Sequence, residues 1–242
     1  MTSENATKKC VVLLSGGIDS SVLMYSLIEK YEVWPITISY GQRHVKEIMA
    51  ARNVCEARGS WLLKRWRYVD LSILGTLLPS SLTGVGNVPE GRYDDVVMRS
   101  TVVPNRNMIL LAIATGYAGG IGAKYVAYAP HQGDHPIYAD CRVEFIRAMQ
   151  EAIYLGNGIE LLTPFSILTK AAVVKIGMGL TVPFKLTWSC YNGEDRPCLK
   201  CGTDVERTEA FLSSNSVDPA LTPAEWEEAV RYLKGVSLSD VR

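Results

Sequence analysis

The chain has 242 residues, which suits one large α/β domain or one domain with an appendage, and no stretch approaches the ~20 apolar residues that span a bilayer. It is 48% hydrophobic, and 25 basic residues balance 25 acidic ones, so the overall basicity of a nucleic-acid binder is missing and no nucleic-acid partner is expected. Residues 1–9 are polar and do not read as a secretory signal; a cytoplasmic protein is expected, in which six cysteines point to metal binding or catalysis rather than disulfides.

Val11-Val12-Leu13-Leu14 reads as a strand buried on both faces. Ser15-Gly16-Gly17-Ile18-Asp19-Ser20-Ser21 then turns the chain into an amphipathic run that begins Val22-Leu23-Met24. Glycines without Cβ atoms, followed by a helix N-terminus, make an anion site, most simply for phosphate. The turn contains neither G-x-x-x-x-G-K-[ST] nor G-x-G-x-x-G. The alternative is a tight turn capped by Ser and Asp.

A second buried strand is predicted over 33–39, a helix over 43–58 and a more polar third strand over 61–69. Strands alternating with helices predict a doubly wound parallel sheet. Residues 72–97 carry Gly75, Pro79, Gly84, Gly86, Pro89 and Gly91 with little periodicity, as a lid or a mobile connection would. An apolar helix from Met108 should be buried or lie at an oligomer interface. A strand over 124–129 and a loop through His131 and His135 follow. A helix over 141–155 turns Phe145, Ala148, Met149 and Ala152 inward. Pro130, Gly133 and Pro136 rule out a zinc-binding H-x-x-x-H helix. A strand over 159–162, a helix over 170–178 and two closing helices over 204–212 and 224–234 complete the chain, with Thr222 and Pro223 as N-cap and first helical residue of the last.

Cys190, Cys198 and Cys201 form C-x7-C-x2-C, and Asp204 follows Cys201 after two intervening residues. Two thiolates of a C-x-x-C knuckle reach one tetrahedral metal, Cys190 supplies a third, and Asp204, water or a histidine supplies the fourth ligand. A redox C-x-x-C should open a helix early in a βαβ unit; this one follows Arg196-Pro197 in a loop. Unligated cysteines are the other alternative, and structural zinc is the preferred reading.

S-G-G-I-D-S resembles the PP-loop of the ATP pyrophosphatases, which hold the pyrophosphate of ATP and transfer AMP. Ser39-Tyr40-Gly41-Gln42-Arg43-His44, Val103-Pro104-Asn105-Arg106-Asn107, Gly133-Asp134-His135-Pro136-Ile137-Tyr138, Asp140-Cys141-Arg142, Leu162-Thr163-Pro164-Phe165 and Thr187-Trp188-Ser189-Cys190-Tyr191 narrow the likeness. Collinear over most of the chain, they resemble the 7-cyano-7-deazaguanine synthase family. The resemblance implies a PP-loop α/β domain over 1–186 with a zinc-binding loop and helices over 187–242. It implies ATP, Mg²⁺ and Zn²⁺ as cofactors, a homodimer, and small-molecule substrates: 7-carboxy-7-deazaguanine, ammonia and ATP. The carboxylate attacks the α-phosphorus, ammonia displaces AMP to give an amide, and a second adenylation leaves the nitrile. The family's zinc loop has four cysteines, where this chain has Asp204 in the last place. Asn105 stands where a glycine is common.

Ser15, Gly16, Gly17, Ser20 and Ser21 can cradle pyrophosphate, and Leu14, Ile18, Val22, Leu23 and Met24 complete the expected ATP-binding stretch. Asp19 braces the turn or holds Mg²⁺. Lys170 is expected at phosphate, and Arg106 or Arg142 at the substrate carboxylate or phosphate. Asp134 and Asp140 can accept from the purine N–H groups, Tyr138 can stack on the base, and Tyr40, Gln42 and Arg43 complete the substrate set. Asp19, Lys170 and Arg106 are the expected catalytic residues. Three other functions compete: joining the adenylated carboxylate to a protein amine, RNA modification with Cys198 and Cys201 carrying sulfur, and nucleotide sensing without turnover.

Overall fold

The computed structural model describes residues 8–92, 98–192 and 195–239. Five parallel strands lie in the order β3-β2-β1-β4-β5: β1 Lys9–Leu13, β2 Glu32–Ser39, β3 Arg67–Asp70, β4 Tyr125–Ala127 and β5 Glu160–Leu162. Val11 of β1 pairs with Trp34 on one side and Val126 on the other. The chain winds outward from β1 to β3 and then restarts at β4 on the opposite side. The carboxyl ends of β1 and β4 therefore flank a switch point, the usual ligand crevice of an open α/β sheet.

Helices cover both faces: α1 Ile18–Leu27, α2 Lys46–Arg58, α3 Ser60–Arg65, α4 Leu74–Leu77, α5 Arg106–Gly120, α6 Val143–Asn157, α7 Lys170–Gly179, α8 Gly202–Ser213 and α9 Pro223–Ser239. Alternating strand residues divide between the two cores. Cys10 and Val12 pack with Met24, Val54, Val173 and Phe211, while Val11 packs with Leu111, Ala114 and Ile146. The first of these cores crosses the division expected at residue 186: Phe184 meets Phe211 edge-on with ring centroids 5.3 Å apart.

Three local expectations change. The third strand is shorter than predicted, because residues 60–65 form α3 and bury Leu62 fully. The break comes at Gly59, whose φ of +144° ends α2 as only glycine does easily. Ala148 and Ala152 of α6 face solvent; the inward row is Ile146, Met149 and Ile153, with Phe145 half-buried. Of 72–97, residues 93–97 lie outside the described residues, and the rest is pinned rather than loose. The Ser81 N–H donates to Ser100 O (2.8 Å), the Arg43 N–H to Leu82 O (2.8 Å) and the Gly91 N–H to Lys200 O (2.8 Å). Glu90 also bridges antiparallel to Cys201. The last helix starts as predicted: the Glu225 N–H donates to Thr222 Oγ1 (3.3 Å) and the Thr222 N–H to Glu225 Oε2 (2.8 Å), a capping box.

Candidate active site

The turn between β1 and α1 opens into one cleft over the switch point. Leu14, Ser15, Gly17, Ile18, Asp19 and Ser20 line one wall, and Tyr40, Gln42, Arg106, Asp134, Tyr138 and Lys170 line the others. Ser20 Oγ accepts from the Ser15 N–H at 3.2 Å, and Ser15 Oγ accepts from the Gly17 N–H at 3.2 Å, so the two hydroxyls hold the turn's shape. Gly16, at φ +95°, is needed for a neighbour rather than for a ligand: an added Cβ would strike Glu47 O and come within 2.6 Å of Ala51 N, both α2 backbone. An added Cβ on Gly17 meets nothing closer than Ser15 Oγ at 3.4 Å. Ser21, Val22, Leu23 and Met24 are fully buried beneath the turn, and none of them lines the cleft.

Five charged or titratable groups meet beside the turn. Lys170 Nζ lies 3.2 Å from Asp19 Oδ2 and 2.7 Å from Glu206 Oε2. His131 Nε2 lies 3.6 Å from both Asp134 Oδ1 and Glu206 Oε1, and 3.9 Å from Asp19 Oδ2. Burial opposes ionisation of Asp19, but Lys170 and His131 outweigh it and hold the carboxyl below its ordinary value. Burial likewise opposes the Lys170 charge, and Asp19 with Glu206 raises its pKa well above the usual lysine range. The carboxylates raise the His131 pKa against burial and Lys170. Because the Gly133 N–H donates to His131 Nδ1 at 3.0 Å, the ring's other nitrogen carries a proton toward those acids. Asp19 Oδ1 is buried and, among the described residues, has no hydrogen-bond partner. Glu206 was not legible as a site residue: it sits amid other charges on α8, with no motif around it.

At the far end Arg106 lies between two aromatic faces, its guanidinium carbon 5.9 Å from the Tyr40 ring centre and 5.7 Å from that of Tyr138. Asn105 ahead of it has φ +52°, the left-handed conformation that glycine favours and asparagine tolerates. Gln42 Oε1 accepts from the Tyr40 N–H (2.8 Å), and Tyr138 Oη is 2.8 Å from Thr101 Oγ1. His44, Glu47, Trp188, Ser189, Tyr191 and Thr203 join the lining.

Three of the expected substrate residues fall outside the cleft. Asp140 Oδ2 accepts from the Asn107 N–H at 2.9 Å, which satisfies the start of α5 instead of a purine. Arg142 is exposed and donates through Nε to His135 O at 2.8 Å, bracing that loop. Arg43 is exposed, while its neighbours Gln42 and His44 are buried.

The cysteine cluster forms as the spacing suggested. One ligand atom from each of Cys190, Cys198, Cys201 and Asp204 lies within 4.8 Å of the others, close to the ~3.8 Å edges of a tetrahedral thiolate site. Asp204 is 3% exposed. Burial first, then Cys198, pushes its carboxyl up to about 7. A buried acid among three thiols is a donor set that could hold a metal ion. This loop is tied to the phosphate turn, because the Trp188 N–H donates to Gly16 O at 3.0 Å. Behind it, Arg207 of α8 clamps Asp218, Thr187 Oγ1 (2.9 Å) and Ser189 Oγ (3.2 Å).

Comparison with known proteins follows this geometry. The family described as "Queuosine biosynthesis protein QueC" matches residues 9–215. The 7-cyano-7-deazaguanine synthase of Archaeoglobus fulgidus is 52% identical over 228 residues, covering 92% of this chain and 94% of that protein. Those of Methanoregula boonei (47%) and Caldicellulosiruptor bescii (46%) each align over 215 residues, 87% of this chain, and cover 97% and 96% of their own lengths.

Proposed function

The chain belongs to the QueC family, and on that premise we propose that its cleft brings the phosphates of ATP to the Ser15–Ser20 turn and the carboxylate of a 7-deazapurine to Arg106. The chain is an ATP-dependent ligase that converts 7-carboxy-7-deazaguanine and ammonia to 7-cyano-7-deazaguanine. The observation that carries the placement is that one cleft holds Ser15, Asp19 and Lys170 on one wall and Arg106, Tyr40 and Tyr138 on another.

The chemistry joins two anions, so the chain must neutralise charge and align the reactants. Lys170 supplies a buried positive charge beside the turn, where pyrophosphate builds up charge as it leaves. Arg106 offers a guanidinium fork to the carboxylate while Tyr40 and Tyr138 fix its plane. Attack of the carboxylate oxygen on the α-phosphorus breaks the α–β bridge and yields an acyl-adenylate and pyrophosphate. Ammonia then displaces AMP to give the amide. In the second cycle the amide oxygen is adenylated, and loss of AMP and the remaining nitrogen protons leaves the nitrile. Asp134, on the cleft wall, is the remaining carboxylate of the expected purine set.

Asp19 Oδ1, buried and unpartnered, is the oxygen we assign to Mg²⁺, which would shield the phosphate charge. Cys190, Cys198, Cys201 and Asp204 would hold Zn²⁺ as a structural ion. The cytoplasm and a homodimer complete this reading. Six free thiols support the first, and exposed Met108 on α5, whose other large apolar side chains are buried or partly buried, supports the second. Among the described residues no helix is long and apolar enough to cross a membrane.

The test is incubation of the purified protein with 7-carboxy-7-deazaguanine, ammonium, Mg²⁺ and ATP, with products followed by mass. Nitrile and AMP are expected. Neither amide nor nitrile at any ammonium concentration would overturn the assignment. An adenylate that waits for a protein amine would replace it with conjugation.

A further inference from the structure

We propose that His44 and Glu47 form the base that takes a proton from ammonium before it attacks the acyl-adenylate. The proposal rests on the reaction assigned above. His44 is 2% exposed, yet it lines the cleft. Its Nε2 lies 3.1 Å from Glu47 Oε2, so this nitrogen carries the proton and donates to the carboxylate. That fixes the tautomer and leaves the Nδ1 lone pair as an acceptor. Among the described residues Nδ1 is buried and has no hydrogen-bond partner. A buried acceptor without a partner costs free energy unless something arrives to fill it. The imidazole is oriented by its carboxylate in the manner of a histidine–acid pair of acyl transfer.

The position fits the step. Glu47 O touches the Gly16 backbone of the phosphate turn, and the His44 ring centre is 5.1 Å from that of Tyr191. Both Tyr191 and Tyr40 are close enough to Arg106 to act on its charge. The pair therefore stands between the phosphate turn and the arginine assigned to the carboxylate, where the mixed anhydride would form.

The proton count demands such a group. Near neutral pH the nucleophile is almost entirely ammonium, which has no lone pair. Transfer of one proton to Nδ1 frees ammonia. Its nitrogen pair forms the C–N bond, the bond from the acyl carbon to the AMP oxygen breaks with its electrons going to phosphate, and a second proton passes from the nitrogen to the departing AMP phosphate, leaving the neutral amide. The imidazolium returns its proton to water through the open mouth of the cleft.

The experiment compares ammonium with hydroxylamine, a nucleophile already neutral near pH 7, on wild type, His44→Asn and Glu47→Gln. Wild type should form amide from one and hydroxamate from the other. His44→Asn should lose about 100-fold in amide formation, within the range for general-base removal. It should keep hydroxamate formation within about fivefold, and the hydroxamate also reports a folded, adenylating protein. Glu47→Gln should show the same pattern at about tenfold. Equal loss with both nucleophiles in both variants would make the pair structural and overturn the proposal. Undiminished amide formation by both variants would also overturn it. A wild type that forms neither amide nor hydroxamate would instead overturn the reaction assignment and take the base with it.

Discussion

At the phosphate end of the cleft Lys170 stands 3.2 Å from Asp19 and 2.7 Å from Glu206, whereas at the far end Arg106 lies between Tyr40 and Tyr138 and, among the described residues, makes no ion pair. The lysine's charge is already compensated, so on the placement proposed above an arriving phosphate must compete with two carboxylates for it. The arginine lies over two ring faces and donates through Nε to Asn107 Oδ1 (3.3 Å), which fixes its plane; on the assignment proposed above, its remaining N–H groups receive the carboxylate. One end works by exchange of partners and the other by a preformed seat. The difference predicts that damage at the first will fall on turnover and damage at the second on recognition.

The strongest test of that contrast is Lys170→Ala. It should slow adenylation by about 10³-fold, as loss of a transition-state charge does, and leave Asp19 and Glu206 with His131 as their shared partner. Pyrophosphate exchange into ATP in the presence of 7-carboxy-7-deazaguanine measures it; exchange near the wild-type rate would dissolve the distinction. Next comes Arg106→Ala, expected to raise KM for the carboxylate substrate about 100-fold while KM for ATP stays within about twofold. Arg106→Lys should recover little, because a point charge has neither fork nor plane. At the cysteine loop beneath the phosphate end, Asp204→Ala should weaken zinc about tenfold or more and Asp204→Cys should tighten it, read by competition with a chromophoric chelator. Equal zinc affinity in all three proteins would remove Asp204 from the ligand set. The smallest effect belongs to Glu206→Gln: with one competitor for Lys170 gone, KM for ATP should fall about threefold, the scale of a single weak ion pair. A rise would mean that Glu206 positions the lysine rather than restrains it.

The phosphate end was the more legible of the two in sequence, because its parts are local. An unbroken apolar strand, two glycines and a helix start are adjacent in the chain, and the cysteine ligands also lie close together. What escaped depended on distance. Asp140 reads as a free loop acid until α5, 33 residues earlier in the chain, claims it with the Asn107 N–H. Glu206 is one charge among several on α8 until Lys170 is folded against it. Arg142, an arginine at a helix start, is drawn into its own loop by the carbonyl of His135. Trp61 favours a strand by its own propensity, but burial of Leu62 and the turn at Gly59 give a helix instead. On α6 the face was out of phase because alanines were counted as inward, when Ile146, Met149 and Ile153 supply the larger apolar row.

Gly16 has a consequence for how the motif should be mutated. Its missing side chain makes room for the backbone of α2, the helix that follows directly on His44. A scan from Ser15 to Ser21 will therefore divide by readout. Substitutions at Gly16 and at fully buried Ser21 will appear first as lost soluble yield, because they press on neighbouring structure. Those at Ser15, Asp19 and Ser20, which face the cleft, will give well-folded but slow protein. An inactive Gly16 variant thus reports on the seating of one helix against a turn rather than on the contents of the cleft.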